Sequence, residues 1–323
     1  MTEIVAADIG GTHARFAIAQ VAGGRVVSLG EECILKTAEH SGLQAAWEEY
    51  GARLGRALPP AAGIAVAGPV QGEVLRLTNH PWLIRPAAIP EQLGVRRHVL
   101  INDFGAVAHA VAQLGEAHFE PLCGPGAPLP EQGAISIVGP GTGLGVALLL
   151  RRDGGYQVVE TEGGHIDFAP LDSLEDRILG RLRERHGRVS VERLVSGPGL
   201  GNIYEALAAI EDRPLLHRDE TALWRAAVAG GDGLASAALD RFCLILGAVA
   251  GDIALAQGAG GVVVAGGLGQ RLAGHLPGSG FRDRFVAKGR FEGRMDRMPV
   301  RLVTHAQPGL FGAAAAFAAE HGE

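Results

Sequence analysis

The residues with the most chemical potential fall into four short groups. Asp8 opens the turn Asp8-Ile9-Gly10-Gly11-Thr12 after the apolar run Ile4-Val5-Ala6-Ala7. A second turn, Gly139-Pro140-Gly141-Thr142-Gly143-Leu144-Gly145, follows Ile135-Ser136-Ile137-Val138 in the same way. Glycines let backbone N–H groups converge on an anion, and a threonine hydroxyl adds a donor, so both turns could hold phosphate. Asp8, at the end of its strand, is suited to the water shell of Mg2+, which keeps several waters beside phosphates. Asn102-Asp103 ends another apolar run, where open α/β sheets place ligands and an aspartate could take a proton from a hydroxyl. In Glu162-Gly163-Gly164-His165, two glycines allow a sharp turn that aims a carboxylate and an imidazole into one space. Such a pair can accept from and donate to adjacent hydroxyls of a polyol.

Each group also has a plainer reading. Asp103 suits the N-cap of a helix starting near Phe104, and one residue can do both. His165 could be a satisfied structural histidine; no His-Glu-x-x-His pattern or close histidine pair argues for a metal. Glu192, in Ser190-Val191-Glu192-Arg193, reads locally as a first-turn acid complementing a helix dipole, worth about 0.3–1 kcal/mol.

The elements that must position these groups alternate strand and helix over the first part of the chain. Strands are expected at 3–8, 14–20, 25–35, 63–67 and 98–101, with helices at 41–56 and from Phe104 onward. Each glycine-threonine turn leads into a further apolar run, 15–19 and 146–150, so each reads as the tip of a β-hairpin. The proline- and glycine-rich stretch 120–132 reads as a connector. Strands follow at 134–138, 145–151 and 156–160, and the chain then turns mostly helical. Its clearest helix runs from Leu234 to about Ala256, with Leu234, Ala238, Phe242, Ile245, Val249 and Ile253 on one face. Gly247 and Gly251, four apart on that helix, admit a close neighbour, more readily inside the chain than in a dimer. A strand at 300–303 and a helix over 309–319, with Pro308 in its first turn, end the sequence. Strand-hairpin openings in both halves hint at a duplicated β core.

Composition narrows the function classes. The 323 residues leave room for about two domains, and 47% apolar against 20% charged residues fits a globular protein. A net charge of −6 argues against holding nucleic acid by its phosphates. Cys33, Cys123 and Cys243 are isolated, so a reducing compartment is expected rather than a disulfide framework. The start, Met1-Thr2-Glu3-Ile4, carries no basic, cleavable leader. The uncharged run Ile253 to Gln270 is rich in glycine and fits a helix end, turn and strand better than a membrane span. A cytoplasmic protein without nucleic-acid or membrane partners is expected.

Common phosphate motifs do not explain the turns. The only Lys-Thr pair, Lys36-Thr37, lacks the glycines of a Walker-type loop, no Gly-x-Gly-x-x-Gly occurs, and the protein-kinase set is missing. Hairpin-tip phosphate binding of the actin, sugar-kinase and heat-shock ATPase type remains.

Taken together, the residues resemble the bacterial glucokinases of the glucose-specific, non-zinc group over nearly the whole chain. The landmarks run in order: Asp8-Ile9-Gly10-Gly11-Thr12, Thr78-Asn79-His80-Pro81-Trp82, Ile101-Asn102-Asp103-Phe104, Gly141-Thr142-Gly143-Leu144-Gly145 and Glu162-Gly163-Gly164-His165-Ile166-Asp167-Phe168. Ser190-Val191-Glu192-Arg193, Ser196-Gly197-Pro198-Gly199, Ala265-Gly266-Gly267 and Pro308-Gly309-Leu310 complete the series.

The resemblance implies an α/β, actin-like ATPase (ribonuclease H-like) fold with two lobes around a cleft, and a homodimer. The small lobe would be 1–113 joined by the C-terminal helix 305–323, and the large lobe 114–304. The implied hexose contacts are Asn79, Asn102, Asp103, Glu162, His165 and Glu192, with Asp103 as the base. ATP would be held by Asp8, Gly10, Gly11, Thr12, Gly141, Thr142 and Gly143, with Gly266 and Gly267 beside the adenosine and Asp8 reaching Mg2+ through water. The implied reaction is ATP-dependent phosphorylation of D-glucose at its 6-hydroxyl, the first step of glycolysis. A kinase for another hexose or amino sugar is the alternative. A non-enzymatic sugar-sensing regulator is a third, although a first strand near residue 3 leaves no room for an N-terminal DNA-binding segment. One departure stands out: the family's first turn continues Thr-Asn-x-Arg, and here His13 replaces that Asn before Arg15. Ala169-Pro170-Leu171 follows Phe168 without cysteines, unlike the zinc-bearing repressor and sugar-kinase branch.

Overall fold

The structure, a computed structural model, describes residues 1–77 and 80–322. Asn79, an expected hexose contact, lies outside the described residues with its neighbour Thr78. The chain divides into two compact units, Met1–Gly115 with His305–Glu323, and Glu116–Thr304.

The first unit is built on one sheet. β1 (Thr2–Ile9) and β2 (His13–Ala22) form an antiparallel hairpin tipped by the first glycine-threonine turn, with Asp8 opposite Arg15. β3 (Arg25–Leu29) and β4 (Cys33–Lys36) both pair antiparallel with β2. The expectation of one strand over 25–35 is therefore corrected: the chain leaves the sheet at Gly30-Glu31-Glu32. A bond from the Gly30 N–H to Ile18 O (2.8 Å) is the last tie to β2 before the excursion, and the chain takes one residue more from Leu29 to Cys33 than β2 takes between their partners Ala19 and Phe16.

After α1 (Leu43–Leu54), β5 (Ala61–Val66) joins parallel to β1. A short antiparallel ladder, β6 (Leu75–Arg76) with β7 (Leu83–Ile84), and α2 (Ile89–Leu93) precede β8 (Arg97–Asn102), which lies parallel to β5. α3 (Asp103–Gln113) follows at once. Successive side chains of a strand point to opposite faces, and β1 buries both. Val5, Ala7 and Ile9 share a cluster with Trp47 and Tyr50 of α1, while Ile4 and Ala6 pack with Leu310, Ala314 and Phe317 of the C-terminal helix Pro308–His321. A strand buried on both faces reads as a continuous apolar run, which is what Ile4-Val5-Ala6-Ala7 displays.

The second unit begins with β9 (Phe119–Cys123), which corrects the expected connector at 120–132 for its first residues. Phe119 and Leu122 are buried, and Pro121 is tolerated because this is an edge strand. β10 (Gly133–Pro140), β11 (Leu144–Arg152) and β12 (Gly155–Thr161) form an antiparallel meander, with the second glycine-threonine turn at the β10–β11 tip. Four helices follow: α4 (Ser173–His186), α5 (Gly197–Glu211), α6 (Glu220–Ala229) and α7 (Gly233–Ala256). β13 (Gly261–Val264) lies parallel to β10. α8 (Gly266–Arg271), α9 (Phe281–Val286) and α10 (Glu292–Asp296) lead to β14 (Val300–Val303), parallel to β13 and antiparallel to β9.

α7 is long and apolar enough to cross a membrane by length and composition, yet most of it is buried in the core of the second unit. Its six expected face residues are all buried, and a side chain at Gly247 or Gly251 would meet the backbone oxygens of Phe281 and Phe285. That glycine pair serves internal packing. The two sheets share one order, β3-β2-β1-β5-β8 and β12-β11-β10-β13-β14. Each is an antiparallel meander followed by two parallel strands, so the duplication hinted at by the turns is present in the topology.

The C-terminal helix approaches α3 closely enough that a Cβ on Gly312 would overlap the Ala106 carbonyl oxygen. Backbone cannot step aside as a flexible side chain can. Gly312→Ala should therefore destabilise the protein by about 1–3 kcal/mol or more, read as a lower midpoint in urea unfolding. An unchanged midpoint would contradict this packing.

Candidate functional site

In the first unit, the parallel pairing brings the candidate residues to one end of the sheet. Ile9 of β1 is level with Val66 of β5, and Val66 with Asn102 of β8. Two strand spacings, roughly 10 Å, therefore separate the turn after Asp8 from Asn102-Asp103 at the carboxyl ends of the strands. The turn is fixed from behind by Thr37, a buried residue just after β4. Thr37 donates its Oγ1 to Gly11 O (2.8 Å) and its N–H to Thr12 O (3.1 Å), and the Gly10 N–H bonds His13 O (2.9 Å). Engaging those carbonyls leaves fewer free lone pairs to repel an anion at the tip, where Thr12 is exposed.

Asp8 points to the same face as Ile4 and Ala6, toward the start of the C-terminal helix. A Cβ at Gly309 would lie 2.6 Å from its Oδ2, so glycine permits that approach. Burial pushes the Asp8 carboxyl up from its ordinary range, the Arg15 guanidinium 3.7 Å away pulls it back, and Glu32 adds to the rise. Among the described residues no group of three or more His, Cys, Asp or Glu could hold a metal, so Asp8 would act as a single carboxylate.

The helix cap expected of Asp103 belongs to Asn102. Its Oδ1 accepts from the Phe104 and Gly105 N–H groups (2.7 and 3.2 Å), and its Nδ2 donates to Gly68 O (3.0 Å). Asp103 is the first helical residue, with Oδ1 accepting from the Phe104 N–H at 2.9 Å. Asn102 thus stiffens the strand-to-helix junction that presents Asp103.

In the second unit the candidate residues gather around one backbone turn. The Gly141 N–H bonds Gly143 O (2.8 Å), and Gly141 O accepts from the Gly197 N–H at the start of α5 (2.7 Å). Gly266, at φ +80°, begins α8 so close that a Cβ would sit 2.7 Å from Pro140 O. The Glu162–His165 turn packs on β11, where a Cβ at Gly164 would overlap Leu144 O. Glu162 Oε2 and His165 Nε2 are 4.0 Å apart with both side chains exposed. Arg188 clamps this turn by donating to His165 O (2.6 Å) and pairing with Asp167 (2.7 Å), a role the sequence does not signal. Glu192 lies in a short 3-10 turn, Val191–Arg193, rather than the first turn of an α-helix. Its Oε2 accepts the Leu144 N–H at 2.9 Å, beside Gly143. The structure thus groups Gly141, Thr142, Gly143, Glu162, His165, Glu192 and Gly266 in one neighbourhood, with Gly267 next along α8. Carboxylate and imidazole face solvent beside the second turn, where they can accept from and donate to neighbouring hydroxyls.

Sheets of one order, each opened by a glycine-threonine hairpin, define the class: an α/β protein of the actin-like ATPase fold in its two-lobed form. The chain belongs to the glucokinase family, whose profile, described as Glucokinase, matches residues 5–320. It is 66% identical to a curated glucokinase of Zymomonas mobilis over 99% of both chains. A glucokinase crystal structure from an Antarctic psychrotroph is 34% identical with a TM-score of 0.85, covering 98% of this chain and 99% of that one. A glucokinase of Balamuthia mandrillaris, solved with glucose, matches in fold with TM-score 0.78 at 22% identity, covering 98% of this chain and 93% of the other.

If the Glu192 carboxylate orders the second turn, Glu192→Ala should speed hydrogen exchange at the Leu144 amide by about tenfold or more, the scale of a lost charged hydrogen bond. Unchanged protection at that amide would mean the bond contributes nothing to the order of the turn.

Proposed function

We propose that this chain transfers the terminal phosphoryl group of ATP to the 6-hydroxyl of D-glucose, yielding glucose 6-phosphate and ADP at the entry to glycolysis. The observation that carries this reading is the 66% identity, over 99% of both chains, to a curated glucokinase. The packing of the Glu162–His165 turn on the second hairpin supports it.

Asp103 accepts the proton of the attacking hydroxyl from its place at the end of β8. Glu162, His165 and Glu192 bind the other hydroxyls, Glu192 with the oxygen that Leu144 leaves free, and Asn79 and Asn102 complete the hexose set. Asn102 has both ends of its amide engaged by the protein, so its share is chiefly to fix Asp103. Thr12 and Thr142 donate to phosphate from the two tips, with Gly11 and Gly143 beside them, while Gly10 and Gly141 spend their N–H groups on shaping the turns, and Gly266-Gly267 borders the adenosine. Positioning and electrostatics do most of the work in phosphoryl transfer. Mg2+ suits this set, because Asp8 offers a carboxylate, 22% of its side chain exposed, to the water shell of the ion. When bound, the ion would neutralise phosphate charge. The same reading has the enzyme working in the cytoplasm as a homodimer, which the family resemblance supports.

Initial rates across a panel of hexoses and phosphoryl donors test the assignment; a preference for another sugar or donor would overturn it. Asp103→Asn should lower turnover by about 10²–10⁴-fold, the usual range for a lost general base, and near-normal turnover would remove Asp103 from that role. Glu162→Gln should weaken glucose affinity more than ATP affinity in equilibrium binding. Equal losses would count against a hexose contact.

A further inference from the structure

Arg15 stands between two carboxylates in the first unit. It is the cross-strand partner of Asp8, and its Nη1 lies 3.7 Å from Asp8 Oδ2. Its Nε lies 3.3 Å from Oε1 of Glu32. The other Glu32 oxygen accepts from the side-chain amide of Gln307, the residue preceding the C-terminal helix. Glu32 is placed by the excursion of the chain between β3 and β4, and its side chain is only 16% exposed. The distance from Arg15 to Asp8 is longer than that of a tight charge-assisted bond, about 2.7–2.9 Å. An arginine directly opposite an aspartate, with nothing else to hold it, would close that gap into a two-point pair and cover both carboxylate oxygens.

We propose that Glu32, itself held by Gln307, is a positioning residue that draws Arg15 aside and so keeps Asp8 open toward the metal-bound nucleotide. This rests on the kinase reading above. The plainer alternative is a structural ion pair that ties the Gly30–Glu32 excursion to the sheet, whose loss would lower stability without separating the two ligands. The two differ in what they predict for the ligands. With Glu32 removed, Arg15 collapses onto Asp8, and the loss falls on nucleotide and metal rather than on sugar.

Calorimetric titration of ADP in the presence of Mg2+ tests this without turnover. Glu32→Ala should weaken Mg-dependent ADP binding by roughly 10–100-fold, the usual cost of removing a group that orients a metal-side ligand. Glucose affinity should stay within about twofold, and the KM for MgATP should rise while that for glucose holds. Gln307→Ala should shift ADP binding in the same direction by less. Combined with Glu32→Ala it should add little, as expected of residues acting through one another. Glu32→Gln keeps the hydrogen-bonding shape but not the charge, and should recover part of the loss. Unchanged ADP binding in Glu32→Ala with normal glucose affinity would overturn the proposal, as would equal losses for both ligands. If Glu32→Ala does not fold, Gln307→Ala decides alone by the same comparison. Absence of hexose phosphorylation by the unmutated protein would instead sink the kinase reading, leaving the ADP comparison to judge Glu32 separately.

Discussion

The backbone of the second hairpin tip is the constraint on which the second unit's candidate residues depend. A carboxylate on Glu192 takes the Leu144 N–H, the start of α5 donates to Gly141 O, and Gly266 abuts Pro140 O. The acid-histidine turn rests on Leu144 as well. Three segments far apart in sequence, around Gly164, Glu192–Gly197 and Gly266, therefore use one short stretch of chain as their common reference. A displacement of that stretch would move the proposed sugar ligands and the adenosine turn together. Glycine recurs there because a backbone cannot be approached from several sides at once if side chains intervene. A carboxylate has two oxygens, and Glu192 commits one of them, Oε2, to the turn.

Much of this was legible because it is local. A strand followed by a glycine-threonine turn and another strand is written in consecutive residues, so both hairpins and the Asp8, Thr12 and Thr142 positions could be read directly. Asp103 was legible for the same reason, as the end of an apolar run, although the strand it follows lies at the sheet edge with only Val99 buried. Asn102 was not seen as the helix cap, since either of two adjacent residues satisfies the same preference. Thr37 and Arg188 were illegible because their roles lie in partners more than about twenty residues away in sequence. A buried threonine or an exposed arginine carries no spacing signal of its own. The break at Gly30-Glu31-Glu32 was missed because residues on both sides favour strand, and both do pair with β2. What divides them is one residue more between Leu29 and Cys33 than between their partners Ala19 and Phe16 on β2.

The duplicated topology is not matched by duplicated chemistry. Aligning Thr12 with Thr142 puts Val138 where the first hairpin has Asp8 and Gly145 where it has Arg15. Burial patterns along the second strands of the two hairpins agree closely, so the backbone environment is similar while the charges are confined to one copy. A half-buried carboxylate is costly unless positive partners compensate. Asp8 has an arginine opposite it and the start of a helix of 14 residues beside it, where the helix dipole favours negative charge. Val138 is fully buried, in the core cluster of the second unit.

That compensation has a consequence for how the first unit is completed. Its sheet comes from the first 102 residues, but the face carrying Ile4, Ala6, Ala17 and Ala19 is covered by a helix from the other end of the chain. The second unit, by contrast, is contiguous from Glu116 to Thr304. The first unit cannot bury that apolar face, or give Asp8 its helix terminus, until the last residues arrive, and contacts so distant in sequence are slow to form. The same helix brings Gln307 to Glu32. The helix that closes the core thus also completes the charges around Asp8, adding its N-terminus and Gln307 to the Arg15 that the hairpin already supplies.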